Sequence, residues 1–142
     1  MAGKRRHIED DQARWLITWA RANARMHPEL NLLFAIPNGG WRDKREAARL
    51  KSMGVRAGVS DYFLPVPRVI RRMTTGSDIW PDRKQLCGLW LELKSEDGKL
   101  KRPQAEWLRL MEEQGYATKV AHGWVAAARA ICNYLGLPDI KP

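Results

Sequence analysis

The sequence predicts a single-domain α/β fold in which helices flank a mixed β-sheet. The chain has 142 residues, a length within the usual range of one domain. Hydrophobic residues make up 44% of it and charged residues 29%, as in ordinary globular proteins. Helical and strand patterns alternate in the order α-β-α-β-β-α-β-α, which indicates one layered α/β unit rather than separate all-α and all-β parts.

The first half of the chain contains two predicted helices and two predicted strands. Apolar residues recur at three- and four-residue steps from Ile8 onward, which is typical of a helix. His27-Pro28 ends this helix, and Gly54 ends the second. The helices are predicted over 8–26 and 42–53, and the strands over 32–36 and 61–66.

The second half begins with a region, 67–87, in which Pro, Gly, Ser and Thr interrupt any period. We interpret it as a long basic loop insertion. Strands are predicted over 88–94 and 116–121, and helices over 103–114 and 124–135. Residues 1–7 are interpreted as a basic N-terminal arm, 8–137 as the folded domain and 138–142 as a tail.

The charge of the chain indicates a polyanionic partner. Lys and Arg number 25 against 16 Asp and Glu, which gives a formal net charge of +9. Such an excess favours contacts with nucleic-acid phosphates. A basic surface that serves solubility alone is the alternative.

Several other classes of protein are excluded. No apolar run approaches the roughly 18 residues that suggest a membrane span. No apolar segment follows the basic N-terminal residues, so a secretory signal is not predicted. Cys87 and Cys132 are too few for a zinc cluster, and a reducing, cytoplasmic setting is expected.

The segment Glu92-Leu93-Lys94 is the centre of the predicted site. Alternate residues of a strand share a face, so Leu89, Leu91 and Leu93 are expected to point into a core. Trp90, Glu92 and Lys94 would then point the other way. If the preceding strand pairs antiparallel with this one, Asp61 at its start lies opposite Glu92 and Lys94.

Two converging carboxylates repel each other and favour a hard divalent cation with oxygen ligands. A neighbouring lysine can hold and polarise a water molecule, and the cation can stabilise the transition state at a phosphate. The alternative for Glu92 and Lys94 is a plain salt bridge between strand residues.

Two further polar residues share a face with apolar ones. Gln104 lies on the apolar side of its helix beside Trp107, where it needs polar partners. Glu9 shares a face with Gln12 in the first helix and is either a third metal ligand or a partner of the helix dipole. Asp10 is the alternative to Glu9.

Five segments in order resemble a known nuclease family. They are Ile36–Gly40, Gly54–Pro67, Gly88–Ser95, Pro103–Leu108 and Gly115-Tyr116. Together they resemble the VRR-NUC (virus-type replication-repair nuclease) domain of the PD-(D/E)xK superfamily, in its stand-alone phage or bacterial form. The resemblance implies a restriction-endonuclease-like core over 8–137. Ser60 stands where the family has proline, and the 67–87 region is longer than usual.

The resemblance also implies an activity and a site. It implies a metal-dependent, structure-specific DNA endonuclease for branched replication and recombination intermediates. This enzyme is expected to act as a Holliday-junction resolvase-like homodimer, without membrane association, in the cytoplasm of a bacterium or phage-infected cell. Asp61 matches the motif acid, Glu92 and Lys94 the E-x-K pair, Gln104 the following glutamine and Glu9 the first-helix acid.

The expected cofactor is Mg²⁺ or Mn²⁺. Its expected ligands are Asp61, Glu92, the Leu93 backbone carbonyl and Glu9. Backbone amides of a turn and basic side chains are the candidate contacts with DNA phosphates, although a plain turn and a solvated helix face would look the same. These candidates are Asn38, Gly39, Gly40, Arg42, Lys44, Arg45, Arg71, Arg72 and Lys101.

Two other functions stay open at this point. A non-catalytic DNA-binding module explains the basic charge but not the converging acids, which repel phosphate unless a cation is bound. A nuclease or nickase that acts on ordinary duplex DNA would share the same site. Metal-dependent cleavage would distinguish a nuclease from a non-catalytic DNA-binding module. The preferred DNA substrate would distinguish a nuclease of branched DNA from one that acts on ordinary duplex.

Overall fold

The computed structural model describes residues 2–37, 43–71 and 83–138, and within them 2–9, 71 and 83 through their backbone alone. The helices in these residues are α1 (Ala2–Asn23), α2 (Lys44–Ser52), α3 (Arg102–Glu113) and α4 (Trp124–Leu135). The strands are β1 (Phe34–Ala35), β2 (Tyr62–Leu64), β3 (Arg68–Arg71), β4 (Arg83–Leu86), β5 (Leu89–Lys94) and β6 (Ala117–His122). A short 3₁₀ helix, Pro28–Leu32, lies between α1 and β1.

The central sheet has four strands in the order β1-β2-β5-β6. The β1–β2 and β2–β5 pairs are antiparallel, whereas β5 and β6 are parallel. A parallel pair needs a crossover connection, and α3 supplies it here. The predicted fold class, an α/β fold with a mixed sheet flanked by helices, is therefore confirmed.

One face of the sheet packs against α1 and α4, and the main hydrophobic core lies there. Leu16, Leu64, Leu91 and Ile131, from both helices and both central strands, are completely buried in it. Each such side chain contributes about 1.5–3 kcal/mol through removal of its apolar surface from water. This core fixes the relative position of β2 and β5.

The opposite face of the sheet lies beneath α3 and is aromatic. The Phe63 and Trp90 rings stack with their centroids 4.4 Å apart, and Trp90 meets the Trp107 ring edge-on at 5.1 Å. The Arg56 guanidinium lies 5.4 Å from the Trp107 ring centroid. These rings attach α3 to the sheet just before the strand residues that carry the site.

The beginning of the chain differs from the sequence prediction. Helix α1 begins at Ala2, so the backbone of residues 2–7 continues the helix that was predicted to begin at Ile8. Lys and Arg favour helices almost as strongly as Ala, and extension of a formed helix is easy. The strand predicted over 32–36 is reduced to Phe34–Ala35, because Pro28 begins a 3₁₀ turn that includes Leu32.

The 67–87 region also differs from the prediction. Instead of a continuous loop it contains β3 and β4, which pair antiparallel from Arg68 with Leu86 to Arg71 with Arg83. Val69 and Ile70 are 59% and 43% exposed although they point to opposite sides of this hairpin. Because neither side is buried there, the sequence has no apolar alternation to indicate the strands.

The remaining elements lie within two residues of their predicted bounds. None of the helices in the described part of the chain is both long enough and apolar enough to cross a membrane.

Candidate active site

The antiparallel pairing of β2 and β5 brings Asp61 to Glu92. Tyr62 pairs with Leu91, so Asp61, one residue earlier, lies opposite Glu92. The Leu93 backbone N–H donates a hydrogen bond to Asp61 Oδ2 at 2.9 Å. This bond holds the Asp61 carboxylate against the end of β5.

Glu92 is a completely buried acid on the α3 side of the sheet. Its Oε1 accepts a 2.7 Å hydrogen bond from Lys94 Nζ and a second, short one from Gln104 Nε2. Its Oε2 is buried and has no hydrogen-bond partner among the described residues. Buried carboxylate oxygens are rarely left unpaired, so this atom needs an explanation.

The surroundings of Glu92 shift its protonation equilibrium. Burial raises the pKa of the Glu92 carboxyl, and the negative charge of Asp61 raises it further. Lys94 and Gln104 act in the opposite direction through their hydrogen bonds to the ionised form, but burial is the larger effect. Since the Lys94 side chain is 12% exposed, the ion pair lies at the boundary between protein interior and solvent.

Gln104 is held at both ends of its amide. Its Oε1 accepts a hydrogen bond from the Lys101 backbone N–H at 3.0 Å, at the beginning of α3. Its Nε2 donates to Glu92 Oε1. The inward-facing glutamine therefore has the polar partners that its position required, and it connects the first turn of α3 with β5.

Two contacts that the sequence analysis missed hold the surrounding elements in place. Gln12 Oε1 accepts a 2.7 Å hydrogen bond from the Trp124 backbone N–H. The neighbouring Gly123 N–H donates to the Lys94 carbonyl at 2.8 Å. Together they fasten α1 and the beginning of α4 to the end of β5, and the inward face shared by Glu9 and Gln12 was the only sequence signal for this.

Gly58 makes a close backbone contact in the segment before β2. Its φ is +86°, and a Cβ atom there would lie 2.4 Å from the Pro103 carbonyl oxygen. A residue with a side chain is therefore disfavoured at this position both by the positive φ and by the close contact with Pro103. This close approach seats the segment that leads to Asp61 on the beginning of α3.

The other predicted site residues are distributed as follows. Glu9 lies in α1, one turn before Gln12, and its side chain is outside the described part of the structure; Asp10 is exposed. Lys44 and Arg45 are exposed in the first turn of α2, and Lys101 is exposed beside Gln104.

Further candidates for DNA contact lie away from the site or outside the described residues. Arg71 is the last residue of β3, and only its backbone is described. Strand β3 follows the end of β2 that is farther from Asp61. Asn38, Gly39, Gly40, Arg42 and Arg72 lie outside the described residues.

The side chains of the predicted metal ligands are described only in part. Within 10–37, 43–70 and 84–138, where side chains are described, no three or more His, Cys, Asp or Glu residues form a group that could hold a metal ion. Asp61 and Glu92 nevertheless place two carboxylates side by side, and oxygen is the ligand that Mg²⁺ and Mn²⁺ prefer.

Comparison with known proteins identifies the fold. The chain matches a solved structure described as "VRR_NUC domain protein" with a TM-score of 0.68 and 24% sequence identity, over 94% of this chain and 93% of that one. A scan against protein-family models and a search of curated proteins each find no match. The α/β restriction-endonuclease-like fold that the sequence predicts is confirmed by this likeness, which at this identity concerns the fold alone.

Proposed function

We propose that this protein is a metal-dependent DNA endonuclease of the VRR-NUC family. The observation that carries the proposal is the cluster of Asp61, Glu92 and Lys94, in which a buried carboxylate is paired with a lysine beside a second carboxylate. The fold shared with a VRR_NUC domain protein and the net charge of +9 both support it.

The residues at this site fit a divalent cation. Glu92 Oε2 is buried without a hydrogen-bond partner in the described part of the chain, and burial, together with the negative charge of Asp61, raises the pKa of Glu92. A bound cation would give Glu92 Oε2 a partner, and its positive charge would offset the repulsion between the Glu92 and Asp61 carboxylates. Asp61, Glu92, the Leu93 carbonyl and Glu9 would hold Mg²⁺ or Mn²⁺, which when bound stabilises charge on the phosphate and acidifies a coordinated water.

The protein's own groups prepare the attack on phosphorus. The Lys94 ammonium carries three donors; one bonds Glu92, and the others can hold and orient the attacking water. Gln104 is a positioning residue, because its bond to Glu92 Oε1 fixes the carboxylate that the lysine also contacts. In-line attack would break the P–O3′ bond and leave a 5′-phosphate and a 3′-hydroxyl.

Branched DNA is the proposed substrate. Replication and recombination intermediates such as four-way junctions have two-fold symmetry, and a symmetric homodimer would present two sites with matching symmetry. A Holliday-junction resolvase-like role in DNA repair and recombination, in the cytoplasm of a bacterium or phage-infected cell, follows from this proposal.

The test compares wild type with Lys94→Ala and Glu92→Gln on labelled four-way junction, fork, flap and linear duplex. Each reaction contains Mg²⁺, Mn²⁺ or EDTA. We expect wild type to cut only with metal, and both variants to bind DNA without cutting it. Glu106→Gln is the matched control, because Glu106 is an exposed acid of α3 paired with Arg109 rather than with Lys94.

Each other outcome leads to a different conclusion. Binding of every substrate without cleavage under any metal would overturn the nuclease proposal in favour of a binding module. Equal cleavage of all four substrates would leave a nuclease or nickase of ordinary duplex. Paired, symmetric nicks in the junction would support the homodimeric resolvase.

A further inference from the structure

An open groove runs between α1 and the edge strand β1, on the face of the sheet opposite Glu92. It consists of two adjoining cavities of about 310 and 340 Å³, which share Ile17, Arg21 and Ala35 in their linings. We call it the α1–β1 groove. The site described above uses none of the side chains that line it.

The floor and the rim of the α1–β1 groove differ in chemistry. Ile17, Ala20, Ala35 and Tyr62 form a largely apolar floor. Arg14, Thr18 and Arg21 follow one another at helical spacing along the α1 wall. Among the described residues that line the two cavities, none is acidic.

The two arginines are available to an anionic ligand. Arg14 and Arg21 lie about 10 Å apart along the helix axis, and both are exposed. Arg14 lies 3.8 Å from Asp11, but both side chains of this pair are at least half exposed. An exposed pair of this kind contributes little, so it does not prevent Arg14 from binding a phosphate.

One end of the α1–β1 groove lies at the proposed catalytic end of the sheet. Tyr62 follows Asp61 directly, and the Asp61 carbonyl accepts a 2.7 Å hydrogen bond from the Ile36 N–H, next to Ala35. On the helix side, Arg14 lies two residues after Gln12, which is bonded to Trp124 beside the end of β5. A strand that leaves the catalytic end over the β1 edge would enter this groove.

From this arrangement we infer that the α1–β1 groove binds a single, unpaired DNA strand beside the scissile phosphate. Unstacked bases would lie over the apolar floor, and the phosphates would face Arg14 and Arg21, which provide the positive charge that follows the strand's backbone in single-strand sites. Double-stranded DNA is not expected to use the apolar floor, because its bases are paired and stacked inside the duplex. The inference rests on the proposed nuclease function and specifies forks and flaps, whose arms include an unpaired strand, as branched substrates in addition to the fully paired four-way junction.

The test measures binding without relying on cleavage. The 142-residue chain, in EDTA, is titrated into fluorescein-labelled dT12 and into a 12-base-pair duplex, and anisotropy gives the affinities. Arg21→Gln removes a charge from the groove, and Arg25→Gln removes one from an exposed position outside it. Ala35→Leu fills part of the groove without altering charge or adding a ring on which a base could stack, and Ala22→Leu is its counterpart on an exposed part of α1.

We expect Arg21→Gln to reduce the salt slope of log K for dT12 by about 0.7, the value for one phosphate contact of a single strand. Ala35→Leu should weaken dT12 binding about tenfold, because it takes space that one base would occupy, with duplex binding affected much less. Arg25→Gln and Ala22→Leu should change neither the salt slope nor the affinity. Thermal unfolding verifies that each variant is folded.

The outcomes separate this inference from the nuclease proposal. If Arg21→Gln and Ala35→Leu both weaken dT12 binding but no substrate is cut with any metal, the groove inference is supported and the nuclease proposal is overturned. If branched DNA is cut but neither substitution changes dT12 binding, the groove inference is overturned and the nuclease proposal is supported. If Ala35→Leu instead dissociates a dimer, the groove holds a second copy of the chain, which also overturns the groove inference.

Discussion

The two faces of the central sheet are built from the same strands and have opposite chemistry. Leu91 and Glu92 are neighbours in β5 and both are completely buried. Leu91 points into the aliphatic core under α1 and α4, whereas Glu92 points toward α3, where an aromatic row leads to a polar cluster. Burial of the leucine stabilises the fold, but burial of the acid opposes it.

The two faces therefore have different roles: one stabilises the fold, and the other carries the proposed site. The aliphatic face fixes the β2–β5 register, and that register places Asp61 opposite Glu92. The α3 face then holds a carboxylate whose pKa is raised by burial and by Asp61, although Lys94 and Gln104 partly compensate. Stability obtained on one face maintains a destabilising arrangement on the other, as is common at functional sites.

The largest expected effect is a loss of cleavage activity without a loss of the fold. Glu92→Gln should lower cleavage at least about 100-fold, because a proposed metal ligand worth several kcal/mol in the transition state is removed. Its shape is preserved, so the fold should remain. Metal-dependent cleavage and urea unfolding of the same preparation provide the measurement. Unchanged cleavage would remove Glu92 from the proposed site.

The complementary substitution on the other face is Leu91→Ala. It should reduce the free energy of unfolding by about 2–5 kcal/mol, since it leaves a cavity in a closely packed core. Urea unfolding measures the loss. Leu100→Ala, at a 38% exposed leucine, is the control and should cost far less. Equal losses for the two variants would contradict the assignment of the core to this face.

A smaller effect is expected where the segment before β2 meets α3. Gly58→Ala should destabilise by about 1–3 kcal/mol from backbone strain alone, with an additional loss from the clash with Pro103. Gly54→Ala is the matched control, because Gly54 has a φ of +93° but a Cβ atom there would have no neighbouring atom within 4 Å. Thermal unfolding of both variants gives the difference, and identical values would show that the Pro103 contact is unimportant.

The smallest effect concerns pH in the presence of EDTA. Because the native pKa of Glu92 is raised above its unfolded value of 4.5, the native state binds more protons in this range. Wild-type stability therefore loses the Glu92 contribution as pH rises from about 4.5 through the native pKa. The stability of Glu92→Gln relative to wild type should rise over that window and then level off.

Glu106→Gln is the control for that measurement, because its stability relative to wild type should change with pH in the opposite direction. The Arg109 guanidinium lowers the pKa of Glu106, so ionised Glu106 favours the native state once the pH exceeds its unfolded pKa. The stability of Glu106→Gln relative to wild type should fall as pH rises, and only slightly, because the pair is exposed. The same sign for both variants would contradict the burial effect at Glu92.

Local patterns predicted much of the fold and the identity of the polar cluster. The alternation in 88–94 predicted which residues of β5 face the core, and helix α4 has its predicted bounds. Gln104 was expected to face inward because it shares a helix face with Trp107. Each of these inferences depends on a period of two or 3.6 residues, which the chain carries in its own sequence.

What the sequence alone determined was therefore which residues lie on the same face of each element. Only the tertiary structure decided how those faces meet: the complete burial of Glu92, the Gln12–Trp124 bond, the approach of Gly58 to Pro103 and the α1–β1 groove. The exposed β3–β4 hairpin likewise had no local signal. The physical reason is that these contacts join residues far apart in the chain, and no local period encodes long-range packing.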